Sequence, residues 1–367
     1  MIFRDGNINE LLACTEKKKL VCYGAGRHLR WLCELFASFN FVERIDYVAD
    51  TNAEKLGSVF CYSDTVIPIG TLEQYQEQNT KEFVLLITSH AHYEILSDLQ
   101  DRVSLQGVVC YVGAFMENYP PTYSLPNYDP IKDKLLIPKV IHYCWFGGKP
   151  IPPQFKKYIE SWRKFCPDYE IVEWNESNYD VKQNRYMYEA YQEKKWGFVP
   201  DYARLDIIYK YGGVYLDTDV ELIKPIDRFL CESGFCGMEA MGIVALGLAF
   251  GAVAGHELIR EWMDNYNTIS FFNMDGTLNL TASPIYQTDA LADYGLLRKN
   301  HLQRIRNMTI YPTDVFCPIR PMSIFRFFTE NTHAIHHYAA SWLDKEKVKE
   351  NEILNNKRKT FLAQLST

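Results

Sequence analysis

Asp217 and Asp219 stand one residue apart in the run Gly212-Gly213-Val214-Tyr215-Leu216-Asp217-Thr218-Asp219, which reads as a strand ending in acid. Alternation of period two sends Val214 and Leu216 one way and Tyr215, Asp217 and Asp219 the other, so the two carboxylates are expected to share a face. Like charges this close repel, and a divalent cation between them is the simplest relief. Oxygen ligands suit Mn²⁺ or Mg²⁺. An ordinary solvated turn can carry the same three residues, so the neighbouring elements have to decide.

Just upstream, Pro200 suits the first turn of a helix, and Tyr202, Leu205, Ile208 and Tyr209 recur at helical spacing until Gly212 and Gly213 stop it. Such a helix can bury one face. Asp201 and Arg204, three residues apart, fall on one side of it and can be held together. The helix, the double glycine and the acid-ended strand together resemble the donor-binding core of glycosyltransferase family 32, in which a D-x-x-R helix precedes G-G-x-Y-x-D-x-D. Three more stretches are similar to that family. Ile137 to Gly148 matches its first strand, I-P-K-x-I-H-x-x-W-x-G, a buried apolar run ending in a loop where open α/β sheets bind ligands. His336 to Trp342 matches a C-terminal H-H-x-x-x-S-W element, and Gly251 to His256 a G-A-x-x-G-H turn. The resemblance runs over residues 137 to 343.

It implies an α/β fold of the GT-A nucleotide-sugar type and a metal-dependent hexosyltransferase. A sugar would pass, with retention of configuration, from a nucleotide-sugar donor to a hydroxyl of a glycan or lipid-linked glycan, as in capsular polysaccharide synthesis. The donor is expected to be a UDP-sugar, with GDP-mannose the other candidate. By the same resemblance Asp217, Asp219 and Arg204 carry the chemistry. Mn²⁺ or Mg²⁺ would be held by Asp217, Asp219 and His337, with His336 the other candidate for the histidine. Trp145, Asp201, Arg204, Tyr215, Asp217, Ser341 and Trp342 would meet the donor, Trp145 by stacking near its base. His142, inside the strand, reads as a structural histidine.

Composition sets outer bounds. With 367 residues and 47% hydrophobic content the chain can hold two domains with sizeable cores. A net charge of −7 and the absence of a Lys/Arg-rich run argue against a nucleic-acid surface. Ten cysteines scattered without a C-x-x-C pair indicate reduced thiols and a cytoplasmic protein, not a zinc ribbon or a disulfide scaffold. No basic leader and no apolar stretch of about 18 residues is present, so any association with the inner face of a membrane would be peripheral, through a lipid-linked acceptor.

Residues 1 to 120 alternate strands (Lys19 to Tyr23, Ile45 to Ala49, Phe83 to Thr88, Gly107 to Val112) with helices, which predicts a small, doubly wound parallel sheet. Its Gly24-Ala25-Gly26 turn, with Asp50 closing the next strand, resembles a Rossmann fingerprint, although Leu29 occupies the third glycine position. A proline-rich linker, 121 to 136, separates this domain from the transferase domain, 137 to 367. The competing reading is a nucleotide- or sugar-binding protein acting through the first domain. A dehydrogenase would need a Tyr-x-x-x-Lys pair or its equivalent in the first 120 residues, and none is there.

Overall fold

The computed structural model describes residues 1–78, 82–117, 119, 123–319, 326–339 and 345–365. In it the chain divides into two units, Met1–Tyr119 with Leu354–Thr367, and Pro120–Ile353. The terminal stretch thus groups with the first unit and not, as the sequence reading expects, with the second. Within that unit Leu362 is fully buried and Arg358 sits 4.6 Å from the ring centre of Tyr93.

The first unit is a seven-stranded sheet in the order Ile2–Phe3, Val109–Val112, Phe83–Ile87, Lys19–Tyr23, Ile45–Ala49, Thr65–Gly70, Val59–Tyr62. Every neighbouring pair is parallel except the hairpin Val59–Tyr62 with Thr65–Gly70. The hairpin escapes the sequence reading because Pro68 and the Ser63-Asp64 turn interrupt its apolar pattern. A proline is tolerated there, since the hairpin lies at the sheet's edge. Phe83–Ile87 is buried at all five positions, as a central parallel strand must be.

The second unit carries another seven-stranded sheet, in the order Gln303–Ile305, Met308–Tyr311, Gly234–Glu239, Ile243–Ala252, Gly213–Tyr215, Val140–Cys144, Glu170–Trp174. Gly213–Tyr215 runs parallel to Val140–Cys144 and antiparallel to Ile243–Ala252, so the sheet is mixed. Val220–Leu222 does not continue it. It pairs instead with Ala334–His336 in a separate two-stranded ribbon, Val220 opposite His336. The indole N–H of Trp162, a fully buried residue of helix Pro153–Phe165, donates to the Val220 carbonyl at 2.8 Å and fixes that ribbon to the unit's core.

Helix Pro200–Tyr211 also departs from the one-faced helix that periodicity predicts. All eight residues from Asp201 to Ile208 are buried. It is therefore a central helix with charges inside, which only pairing can stabilise. At its end Gly212 and Gly213 have φ of 67° and 102°. A Cβ on Gly213 would stand 2.8 Å from the Val140 carbonyl oxygen and 2.9 Å from His142 Nε2, so the helix can turn into the strand only on glycine.

His142 has the structural role expected of it. It is 3% exposed, its Nε2–H donates to the Gly212 carbonyl at 3.0 Å, and its Nδ1 accepts from the Trp174 indole at 3.1 Å. That pair of bonds demands a neutral ring, and burial lowers the pKa to about 4. Below pH 6.5 the unfolded chain gains a proton on this residue that the folded chain refuses. Its stabilising contribution is then complete above 6.5 and is lost as pH falls toward 4, amounting to up to about 3 kcal/mol. Urea unfolding at pH 7 and pH 4.5 should therefore show the parent chain losing more stability than His142→Gln. Equal losses would mean that the ring is protonated in the folded state.

Candidate donor and metal site

The two aspartates lie just beyond the strand, in the turn that links Gly213–Tyr215 to Val220–Leu222. The Val220 amide donates to the Asp217 carbonyl at 3.0 Å and closes the turn. Their shared orientation is thus a property of the turn, not of strand alternation as the sequence reading has it. The Asp217 amide donates to the Gly247 carbonyl at 3.2 Å, and the Asp219 carbonyl accepts from the His337 amide at 3.0 Å. The backbone of each aspartate is thus tied to a separate segment.

On one side is Arg204, 4% exposed. Its guanidinium donates to Asp201, to Asp217 Oδ2 at 3.5 Å and to Ser283 Oγ at 3.4 Å, and lies 5.6 Å from the ring centre of Tyr215. Asp201 also accepts from the Tyr186 hydroxyl at 3.4 Å. Burial pushes the Asp201 carboxyl up to about 6 against the pull of Arg204. Burial also raises Asp217, and the facing Asp219 adds to this, while Arg204 opposes it. The Asp217 side chain nonetheless keeps a third of its surface exposed at the rim.

On the other side is His336. Its Nε2 lies 3.3 Å from Asp219 Oδ1, while Oδ2 of the same carboxylate accepts from the Ala339 amide at 2.9 Å. Burial alone would raise Asp219, but His336 and the Ala339 amide outweigh it and hold the carboxyl down to about 2. For His336 burial works toward a lower pKa, and the Asp219 carboxylate overrides it and raises it well above the usual value. One ligand atom each from Asp217, Asp219 and His336 lies within 4.8 Å of the others, and among the described residues no other histidine, cysteine or acid group forms such a cluster. His336 Nδ1 is buried without a hydrogen-bond partner. Two carboxylates and an imidazole fit Mn²⁺ or Mg²⁺ in donor type.

His337, the ligand named by the sequence reading, points elsewhere. Its Nε2 lies 2.9 Å from Glu221 Oε2, and its ring stacks on Tyr158 at 4.3 Å. The register of the ribbon is the reason: Val220 faces His336, which brings that side chain beside Asp219.

Residues 152–236 match the family model described as "Glycosyltransferase sugar-binding region containing DXD motif". That stretch includes both aspartates and the helix that carries Asp201 and Arg204, and the curated relatives that the chain matches are glycosyltransferases. The chain is 26% identical over 227 residues to inositol phosphoceramide mannosyltransferase 1 of Schizosaccharomyces pombe, covering 57% of this chain and 66% of that one. It is 38% identical over 78 residues to alpha-1,4-N-acetylglucosaminyltransferase of Homo sapiens, covering 21% and 22%. A solved structure, PaToxG glycosyltransferase, aligns with a TM-score of 0.36 at 20% identity over 43% of this chain and 69% of that one, too partial a likeness to carry weight. The chain spans less than two thirds of the length of the first curated relatives that it matches. The α/β fold, with its parallel-rich sheets, is of the GT-A type that the family implies.

The remaining candidate site residues divide clearly. Tyr215 is 1% exposed, beneath Arg204 and 5.8 Å from Phe250, so it supports the guanidinium from the core and does not face a donor. Trp145 is half-buried after Val140–Cys144, packs edge-on to Phe155 at 6.0 Å and donates its indole N–H to the Lys149 carbonyl. Ser341 and Trp342 lie outside the described residues. Sequence reasoning missed two participants. Ser283, the first residue of helix Ser283–Ala292, meets Arg204. Gly247, in Ile243–Ala252, lies where a Cβ would fall 2.2 Å from Asp217 Oδ2 and 3.1 Å from Arg204 Nη1. A glycine inside a strand is itself a signal of close approach.

Gly247→Ala should accordingly displace the Asp217 carboxylate. Donor turnover is expected to fall by roughly a hundredfold, the scale of a misplaced catalytic group, with a circular dichroism spectrum like that of the parent. Undiminished turnover would mean that Asp217 can move without consequence.

Proposed function

We propose that this chain transfers a hexosyl group from a nucleotide-sugar donor to a hydroxyl of a glycan or lipid-linked acceptor, with Asp217, Asp219 and His336 holding a divalent cation. The observation that carries the reading is the convergence of His336 on Asp217 and Asp219 of the matched DXD segment, backed by the buried Arg204 pair. As the glycosyl–phosphate bond breaks, charge collects on the departing diphosphate. A bound cation would supply Lewis-acid neutralisation of that charge.

The chain's own residues set the stage for this. Arg204, enclosed by Asp201, Asp217 and Ser283, acts by positioning Asp217, and Asp201 in turn orients Arg204. Asp217 keeps one edge at the surface, where it can meet the cation and the donor's ribose. The Ala339 amide and His336 keep Asp219 ionised. The acceptor hydroxyl would attack on the face from which the diphosphate leaves, giving retention without an enzymic nucleophile.

The relatives are named for transfer of mannose and of N-acetylglucosamine, so both nucleotide classes belong in the test. UDP-sugars remain our first expectation and GDP-mannose the second, and polysaccharide synthesis is the setting that the family resemblance favours. No helix among the described residues is long and apolar enough to cross a membrane, and a lipid-linked acceptor would be met at the membrane surface.

The purified chain should release sugar from one UDP- or GDP-sugar with Mn²⁺ and not with chelator, and proton NMR of the product should show the donor's anomeric configuration. Asp219→Asn should lower turnover by at least about a hundredfold, the scale of losing an electrostatic stabiliser of the leaving charge. His336→Ala should weaken Mn²⁺ affinity by roughly ten- to a hundredfold, and His337→Ala by less than about threefold. A larger loss in His337→Ala than in His336→Ala would return the ligand role to His337. Metal-independent turnover would end the cation reading altogether.

A further inference from the structure

A histidine that ligates a metal ordinarily fixes its ring by donating its other N–H to a carboxylate, a carbonyl or water. His336 lacks such a tether. Its Nε2 lies 3.3 Å from Asp219 Oδ1, while its Nδ1 is buried with no hydrogen-bond partner among the described residues. The Cys317 sulfur is close enough to act on the ring, but a thiol is only a weak acceptor. The angle at which this imidazole meets Asp217 and Asp219 therefore has to be set by packing.

Tyr338 supplies that packing. Its ring centre lies 4.2 Å from that of His336, at an interplanar angle of 55°. The far end of the tyrosine is held in turn, since its hydroxyl lies 2.8 Å from Cys317 Sγ and donates to Glu239 Oε2 at 3.4 Å. Cys317 is 2% exposed, and Glu239 closes Gly234–Glu239 of the seven-stranded sheet. Through Tyr338, the histidine of the small ribbon is thus braced against the core and against the larger sheet.

The backbone is a separate observation. Tyr338 has φ of 49°, in the left-handed region that a bulky residue occupies only under strain. The bend lies between two amides that return to the same aspartate. The His337 amide donates to the Asp219 carbonyl at 3.0 Å, and the Ala339 amide donates to Asp219 Oδ2 at 2.9 Å. Glycine or asparagine would take this bend at lower cost, so the backbone alone does not call for a tyrosine. The ring against His336 does.

We propose that Tyr338 is a positioning residue, whose ring sets the His336 imidazole so that Nε2 faces the gap between Asp217 and Asp219. The role rests on the cation reading of that site. Mn²⁺ affinity of the donor-free chain, followed through the electron paramagnetic resonance signal of the free ion, tests it without recourse to turnover.

Tyr338→Gly removes the ring and keeps the left-handed bend, so the backbone contacts to Asp219 stay in place. Affinity is expected to fall by roughly ten- to a hundredfold, the range for a lost outer-shell partner, whereas Tyr338→Phe keeps the ring and should stay within about threefold of the parent. Should the glycine variant melt below the assay temperature, Tyr338→Asn takes its place, because asparagine also accepts left-handed backbone. A merely structural loss would weaken binding in any background. A residue that acts through His336 should instead do nothing once His336 is gone, so Tyr338→Gly with His336→Ala should bind within about threefold of His336→Ala alone.

Parent-like affinity in Tyr338→Gly would overturn the proposal. So would a loss of equal size in Tyr338→Phe, or a loss that adds in full to that of His336→Ala. A parent chain that binds no Mn²⁺ ends the cation reading and this role with it, while a parent that binds, followed by any of those three results, ends the positioning role alone.

Discussion

A guanidinium buried between two carboxylates is the interaction on which the second unit depends. Arg204 sits in a helix with no solvent-facing side over its central two turns, and its charge is tolerable only because Asp201, one turn before it, and Asp217, from another element, surround it. Withdrawing one partner from such a group leaves an uncompensated charge and costs about 3–5 kcal/mol. The constraint therefore reaches beyond the helix. It requires the helix to end on glycines so that the strand can double back, Ser283 to offer a hydroxyl, and Gly247 to offer no side chain at all.

The same arrangement sorts the two aspartates into different states. Asp217 is held by the buried arginine and pushed up by burial and by its neighbour, whereas Asp219 is held down by a histidine and a backbone amide. Each carboxylate has its own cationic or N–H partner on the outer side, so what remains between them is a gap facing His336. A gap bounded by two carboxylates and an imidazole is attractive to a hard divalent cation and to little else of that size.

The two units solve one geometric problem with the same device. A strand must hand over to a helix, or a helix to a strand, at the edge of a sheet where a ligand can approach. In each unit glycines at that junction keep side chains out of the way: Gly212 and Gly213 beside the DXD turn, Gly24 and Gly26 beside a cavity of the first unit. What differs is the charge placed there. Two carboxylates flank the first of these junctions, whereas at the second the amides that open helix Arg27–Leu35 stand among side chains of both signs, Asp50, Glu94 and Asp98 with Arg27 and Lys55.

Short-range pattern carried a good deal of this. The α/β class, the double-glycine stop, the pairing of Asp201 with Arg204 and the neighbourhood of Asp217 and Asp219 were all legible, because each involves residues a few positions apart whose geometry the local backbone sets. His142 was legible as structural because a histidine within a continuous apolar strand has nowhere to go but inside. The rest required contacts between distant segments. The choice of His336 over His337 follows from which residue lies opposite Val220, a register no local pattern encodes. Tyr215 is assigned to the donor by the family resemblance, yet it is 1% exposed and packed in the core. The strand ends at that residue, both of its faces are buried, and the turn that follows re-aims everything after it. Gly247 and Ser283 arrive from segments some 40 and 80 residues beyond Arg204, and only the packed sheet and helices bring them to it. Sequence alone determined which side chains could do chemistry. The tertiary structure decided which of them meet, because the free energy of burying charge is settled by partners that the chain supplies from far away.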